Sequence, residues 1–286
     1  MDPILEQYKE LEQQVLSYTP ALDKTLLFKA FQFANDAHRE QKRKDGSPYI
    51  THPLAVARIV ADLKLDVESL AAALLHDCIE DTPITHEDLV REFTPAIADL
   101  VEGVTKLTRI NYVSMEEKQM ENLRKMLVAM NKDIRVILVK LCDRLHNMRT
   151  MQYQSPKKQR EKSRETLEIY APIAHRLGMQ RLKWELEDLS LRYLDPFGYR
   201  EIEEELNSQL GEIMEQRPTL SALDALVILA LNLMDQITEV EESTDRMREQ
   251  LSQYLEDAAK ARMGLEDQKR QADRLRQDLA DQKRQA

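Results

Sequence analysis

Apolar residues recur at spacings of three and four along most of the chain, and no segment alternates with a sustained period of two. That spacing puts side chains on one face of an α-helix. Residues 1–20 carry such a stripe and end at Thr19-Pro20. A second helix is predicted over 21–41, with Leu22, Leu26, Leu27, Ala30, Phe33, Ala34 and Ala37 on its apolar face. The run QKRKDGSPYITHP then interrupts the pattern, and Gly46, Ser47 and two prolines predict a loop there. Helical spacing resumes at Leu54–Leu63 and Val67–His76. Asp81-Thr82-Pro83 predicts a turn, and Thr85 with Asp88 three residues on is a capping-box start for the next helix. Further helices are predicted over 95–107, 115–131 and 133–150. Ser155-Pro156 breaks the pattern, and 157–195 reads as helix bent or broken around Pro172 and Gly178.

The C-terminal part obeys a stricter rule. From Leu226, apolar or small residues alternate four and three apart: Leu226, Ala230, Leu233, Ile237, Val240, Thr244, Met247, Leu251, Tyr254, Ala258, Ala261 and Leu265, and the frame continues through Gln268, Ala272, Leu275 and Leu279. This is a heptad seam. The string DQKRQA at 267–272 returns at 281–286, two heptads later, so the frame holds. The frame's roughly 54 residues would make a rod on the order of 80 Å at 1.5 Å per residue. A lone helix cannot bury its own seam, so a homo-oligomer joined through this segment is expected. The competing reading is a long solvated helix in a monomer. The fold class expected is therefore all-α: a helical bundle over 1–205, a connecting helix or linker over 206–225, and a coiled-coil segment over 226–286.

Composition agrees. Six glycines in 286 residues is well under the usual ~7%, and 32% charged residues exceed the usual ~25%. Few bend residues and many solvated faces disfavour β-sandwiches and barrels. No run approaches ~18 uncharged apolar residues, so no membrane span is expected. The start, MDPILEQYKE, does not read as a secretory signal. Two cysteines, Cys78 and Cys142, cannot build a disulfide scaffold, which points to a reducing compartment, the cytoplasm. They are expected to be small buried hydrophobes. A net charge of −10 argues against a general nucleic-acid binder.

Four residues in the first part carry candidate chemistry: His52 in YITHP, His76-Asp77 in ALLHDCIED, and Asp143 in LCDRLHNM. Two imidazoles and two carboxylates suit a divalent transition metal, and the carboxylates shift preference towards harder ions such as Mn²⁺. Each alone has a bland reading: His52 before Pro53 as a turn histidine, the His-Asp pair as a helix surface. Glu80 and Asp81 follow His76 and Asp77 by four residues, so on a persisting helix they stack one turn beyond them. A carboxylate there can hold and deprotonate a water beside an ion. His86 is expected to be exposed at a helix start, and His146 and His175 to be buried and hydrogen-bonded within the bundle.

Longer stretches support a resemblance. HPLAVARIVADLKLD, AAALLHDCIEDT, VEGVTKL, RKMLVAMNKDIRVILVKLCDRLHNMRTM and ETLEIYAPIAHRLGMQRLKWELEDLSLRYLDP occur in order within residues 1 to about 205. They resemble the hydrolase half of the long Rel/Spo alarmone enzymes, members of the HD superfamily of metal phosphohydrolases. The resemblance implies an all-α fold and release of pyrophosphate from the ribose 3′ position of guanosine tetra- and pentaphosphate, giving GDP or GTP, with Mn²⁺ as the ion. By motif, His52, His76, Asp77 and Asp143 match the family's metal ligands. Glu80 and Asp81 match its pair assigned to activating and positioning the attacking water. Arg43 and Lys44 match basic residues lying against the guanine and nearby phosphates. Asn147 matches a nucleotide contact, and Thr150 lies close by. Arg43, Lys44, Lys140, Arg144 and Arg149 are candidate cations for a highly anionic substrate, although Lys140 and Arg144 read first as partners in ion pairs.

After about Glu205 the family-like text stops and no synthetase nucleotide-binding motif follows, so no alarmone synthesis is expected. Residues 208–286 resemble the C-terminal half of ZapA-type cell-division proteins, which makes a division protein a further partner to consider. Two competing readings stand beside the leading one: an HD phosphohydrolase acting on another nucleotide, and a coiled-coil division scaffold with a hydrolase-like head.

Overall fold

The computed structural model describes residues 3–108, 132–250 and 252–253. The predicted helix over 115–131 and the heptad seam from Tyr254 onward, with Leu251, lie outside the described residues. Among the described residues there are helices and no strands, apart from one isolated bridge between Lys42 and Pro48. The chain divides into two compact units, Met1–Tyr199 and Arg200–Ala286.

In the first unit, α1 (Pro3–Leu16) and α2 (Lys24–Ala37) lead into α3 (Thr51–Asp62), α4 (Val67–Leu75) and the single turn α5 (Cys78–Asp81). Then come α6 (His86–Glu92), α7 (Pro95–Thr108), α8 (Ile134–Arg149) and α9 (Pro156–Glu165). A π-helical turn, Thr166–Tyr170, joins α9 to α10 (Ala171–Arg176), and α11 (Gln180–Leu194) closes the bundle. Short polar side chains fix the starts. Asp23 accepts from the N–H groups of Thr25 and Leu26, which makes α2 begin at Lys24, three residues later than the predicted start at residue 21. Asp66 caps α4 and Asp133 caps α8 in the same way. The Thr85–Asp88 capping box forms at α6 as its spacing predicts.

The helix α4 is the centre. Ser69 to Leu75 are all buried, and α4 packs against α2, α3, α7 and α8. A helix that is apolar all round needs such neighbours on every side. The helices α7 and α8 meet at Gly103, where a Cβ would stand 2.8 Å from a Val136 methyl. Only glycine lets the two backbones approach that closely.

The segment over 157–195 is modified at both of the expected points, Pro172 and Gly178. Pro172 has no N–H for the carbonyl four residues back and would collide with it. The π turn just before it widens the helix at that point. Gly178, at φ +72°, ends α10 in a left-handed turn.

In the second unit, α12 (Pro196–Gln216), which starts within the first unit, is followed by α13 over 222–250. Ser221 accepts from the Asp224 N–H at its start. Along the described seam, Leu226, Ile237, Val240 and Met247 are all exposed, and Leu233 is half-buried. The buried positions of α13 are Ala225 and Leu229, which do not belong to the predicted seam. No described helix is long and apolar enough to cross a membrane.

Candidate metal centre

Three helices and one loop bring the four candidate ligands to one point. His52 enters from the first turn of α3, where Pro53 costs no hydrogen bond because the N–H groups of a first turn lack intrahelical partners. His76 and Asp77 occupy the break between α4 and α5. The helix predicted over Val67–His76 ends there, and the condition that it persist through Asp81 is not met. Adjacent positions on an unbroken helix diverge by ~100°. At this bend both side chains turn inward, and His76 Nε2 lies 3.2 Å from Asp77 Oδ1. Asp143 comes from the middle of α8, and its Oδ1 is 3.3 Å from His52 Nε2 and 3.8 Å from His76 Nε2. His52 Nε2 is 3.5 Å from Asp77 Oδ2. Ligand atoms of His52, His76 and Asp143 all lie within 4.8 Å of one another.

The imidazoles are held in fixed tautomers. His76 Nδ1 is 2.8 Å from the Ala73 carbonyl oxygen and must donate to it, so in the neutral ring the lone pair lies on Nε2. That Nε2 is buried and has no hydrogen-bond partner. A buried nitrogen lone pair among two carboxylates and a second imidazole fits a divalent transition metal. The surrounding charges favour positive charge at this nitrogen, which is a proton in the absence of an ion. Burial disfavours a charged His76, but Asp77 and Asp143 outweigh it and raise its pKa to about 10. Burial, then the neighbouring His76, pushes His52 down. Burial opposes ionisation of Asp143 too, and Lys140 with the two imidazoles overcomes it, so the carboxyl stays well below its usual range.

Other side chains hold the ligands in turn. Asp143 Oδ2 accepts from Lys140 Nζ at 2.8 Å, and Oδ1 from Asn147 Nδ2 at 2.6 Å. Residues 140, 143, 144 and 147 share one face of α8, which explains why an otherwise apolar helix buries charged residues there. Arg144 pairs with Glu165 at 3.3 Å and lies 4.1 Å over the Tyr170 ring, so it serves in an ion pair, as expected.

A cavity of about 280 Å³ opens on this centre, lined by the carboxylates of Asp77, Glu80, Asp81 and Asp143 and by the cations Arg43, Lys140, Arg144, Lys158 and Lys162. The structure brings Arg43, His52, Asp77, Glu80, Asp81, Asp143 and Asn147 together on its wall, with His76 buried beside them. Thr150 sits next to Arg43, whose Nη2 donates to its Oγ1 at 3.2 Å. Lys44 is exposed in the loop and does not line the cavity. Among the remaining histidines, His146 is hydrogen-bonded and half-buried, and His86 is half-buried beside Asp99 at 2.9 Å. His175 is exposed rather than buried: Ile173 and Ala174 take the core face of α10. Both cysteines are buried, and burial pushes their thiols up, as befits inert packing residues. Sequence reasoning missed Tyr49, Lys158 and Lys162. The first lies three residues before His52 in the same motif, and the two lysines stand four apart on α9.

A family model described as HD domain matches residues 30–180, more than half of the chain, and those residues contain every ligand candidate. The chain belongs to the HD domain family. The HD part is similar to the bifunctional (p)ppGpp synthase/hydrolase SpoT of Escherichia coli K12, 50% identical over 208 residues that cover 73% of this chain and 30% of SpoT. It is equally similar to a probable guanosine-3′,5′-bis(diphosphate) 3′-pyrophosphohydrolase of Synechocystis, at 50% over 212 residues covering 74% of this chain and 28% of the relative. A GTP pyrophosphokinase of Streptomyces coelicolor is 57% identical over 174 residues, covering 61% and 20%. This chain therefore spans less than a third of the length of these relatives. A solved structure of a metazoan ortholog of SpoT that hydrolyzes ppGpp aligns with a TM-score of 0.42 and 26% identity, covering 61% of this chain and 94% of that one. Beyond the HD domain, a second family model, cell division protein ZapA, matches residues 195–282.

Proposed function

We propose that this chain is a Mn²⁺-dependent guanosine-3′,5′-bis(diphosphate) 3′-pyrophosphohydrolase that converts (p)ppGpp to GDP or GTP plus pyrophosphate and does not synthesise it. One observation carries the reading: His52, Asp77 and Asp143, with His76 buried beside them, border a cavity that is also lined by Glu80, Asp81 and five cations. The names of relatives at about half identity support the substrate. The ZapA match over 195–282, in place of a nucleotide-binding synthetase segment, supports hydrolysis without synthesis.

His52, His76, Asp77 and Asp143 would hold the ion. When bound, a divalent cation supplies charge withdrawal from the scissile phosphate and a lowered pKa for an adjacent water. Glu80 and Asp81 receive the proton of the attacking water and orient its lone pair towards the 3′-phosphorus. Arg43, already against Thr150, offers a planar guanidinium to stack on guanine. Lys158 and Lys162 face the substrate's far phosphates, and Lys140 keeps Asp143 ionised and aimed. The water oxygen bonds to the 3′-phosphorus as the bond from that phosphorus to the ribose 3′ oxygen breaks, so the phosphorus departs within pyrophosphate, while the 3′ oxygen takes up a proton to become a hydroxyl and the nucleotide product keeps its 5′ phosphates.

The exposed seam along α13 supports self-association through a second copy. The ZapA match favours a second role, in which the tail also docks on a division protein. Cutting after Glu205 separates the two: retained hydrolysis by a smaller particle assigns chemistry to the HD part, and loss of it assigns the tail more than association. The direct test is a product assay with guanosine tetraphosphate and Mn²⁺, run beside dNTPs and NADPH as competing substrates.

A further inference from the structure

We infer that Tyr49 is a positioning residue whose single hydroxyl ties Asp77, a proposed ion ligand, to Asp81, a proposed director of the attacking water. The inference rests on the hydrolase reading above and assigns a residue that the motifs did not single out. The Tyr49 hydroxyl lies 2.8 Å from Asp77 Oδ2 and 2.7 Å from Asp81 Oδ2. The two carboxylates stand four residues apart around the turn of α5, where like charges repel. The hydroxyl's one proton, shared between the two facing oxygens, offsets that repulsion and fixes the distance from the ion's ligand to the water's partner.

The ring itself is held from several sides. It stacks on His38, with centroids 4.5 Å apart and planes 18° from parallel. His38 is buried and its Nδ1 pairs with Gln41 Oε1 at 2.8 Å. Gln41 Nε2 donates to the Asp81 backbone carbonyl at 2.8 Å, and the Tyr49 N–H donates to the Gln41 carbonyl at 3.2 Å. One residue, Gln41, thus anchors the backbones at both ends of the Tyr49–Asp81 bond. The same short segment then delivers His52 to the ion site. A phenol with this much support is pre-organised, and catalytic groups misplaced by even ~1 Å can lose about a hundredfold in rate.

The test is Tyr49→Phe, which keeps the ring and its stacking on His38 and removes only the hydroxyl. Two readouts are taken. In steady-state hydrolysis of guanosine tetraphosphate, kcat falls ten- to a hundredfold while KM and the Mn²⁺ dissociation constant stay within threefold. In the crystal structure of the Mn²⁺-loaded variant, the Asp81 carboxylate moves away from Asp77 by 1 Å or more. An unchanged kcat, or a loss that sits in Mn²⁺ affinity instead, overturns the inference. If the wild-type protein shows no turnover, the hydrolase reading fails on its own, and the position of Asp81 in the variant crystal still decides the role of Tyr49: an unmoved carboxylate refutes it.

Discussion

His52 Nδ1 and His146 Nδ1 lie 2.7 Å apart, so one of the two nitrogens donates to the other. Burial, followed by the nearby His52 and Arg43, pushes His146 down to about 3, so it is neutral at working pH. With Nε2 of His52 turned to the ion site, its Nδ1 carries the proton and His146 accepts it. His146 thereby fixes the tautomer of a ligand it does not replace. His146→Ala should weaken Mn²⁺ binding by about ten- to a hundredfold, the usual effect of removing a group that orients a ligand. Titration followed by electron paramagnetic resonance measures this, and wild-type affinity in the variant would show that His52 needs no such partner.

Asp143 holds both the centre and Lys140. Asp143→Ala should abolish Mn²⁺ binding and activity, and breaking the buried Lys140 pair should cost about 3–5 kcal/mol of stability. Asp143→Asn keeps the shape and separates the two effects. It should fold with a smaller loss by urea unfolding and still lack measurable Mn²⁺ affinity.

Glu80 lines the cavity without belonging to the ion-holding set. Glu80→Gln should therefore keep the Mn²⁺ dissociation constant and lower kcat by about 10²–10⁴. Near-normal turnover would remove Glu80 from water activation.

Glu165 sets an acid limit on stability. Burial resists its ionisation, but Arg144 and then Lys162 outweigh it and lower its pKa to about 2. A depressed folded value means that this stabilisation is complete above the unfolded pKa of 4.5 and is lost as pH falls through about 2. Its size is on the order of 3 kcal/mol. Urea unfolding should find Glu165→Gln destabilised at pH 7 by about that much. The gap to the wild type should close between pH 4.5 and 2. A gap that is independent of pH would mean that packing, rather than charge, is lost.

The metal ligand candidates were legible only in combination, since His52, His76, Asp77 and Asp143 each have a bland reading alone, and the helical pattern ended at His76, where the bend falls. The caps at Thr85 and the break at Gly178 were legible from side-chain chemistry alone. Tyr49 was not, since a phenol in a loop takes its meaning from Asp81, whose carboxylate it meets only after α5 turns back. Lys158 and Lys162 read as ordinary solvated charges until α9 folds over the cavity. His175 misled because its helix lies in the core, while the register that buries Ile173 and Ala174 turns it outward. The π turn before Pro172 follows from the ring's clash, but periodicity cannot separate a widened turn from a kink.

The most direct test of the central claim is the identity of the products formed from guanosine 3′,5′-bis(diphosphate) by the purified full chain with Mn²⁺. The account predicts GDP and pyrophosphate in equal amounts, abolished by chelation of the ion and by Asp143→Asn. Release of single phosphates, or intact substrate after prolonged incubation with Mn²⁺ in excess, would contradict it.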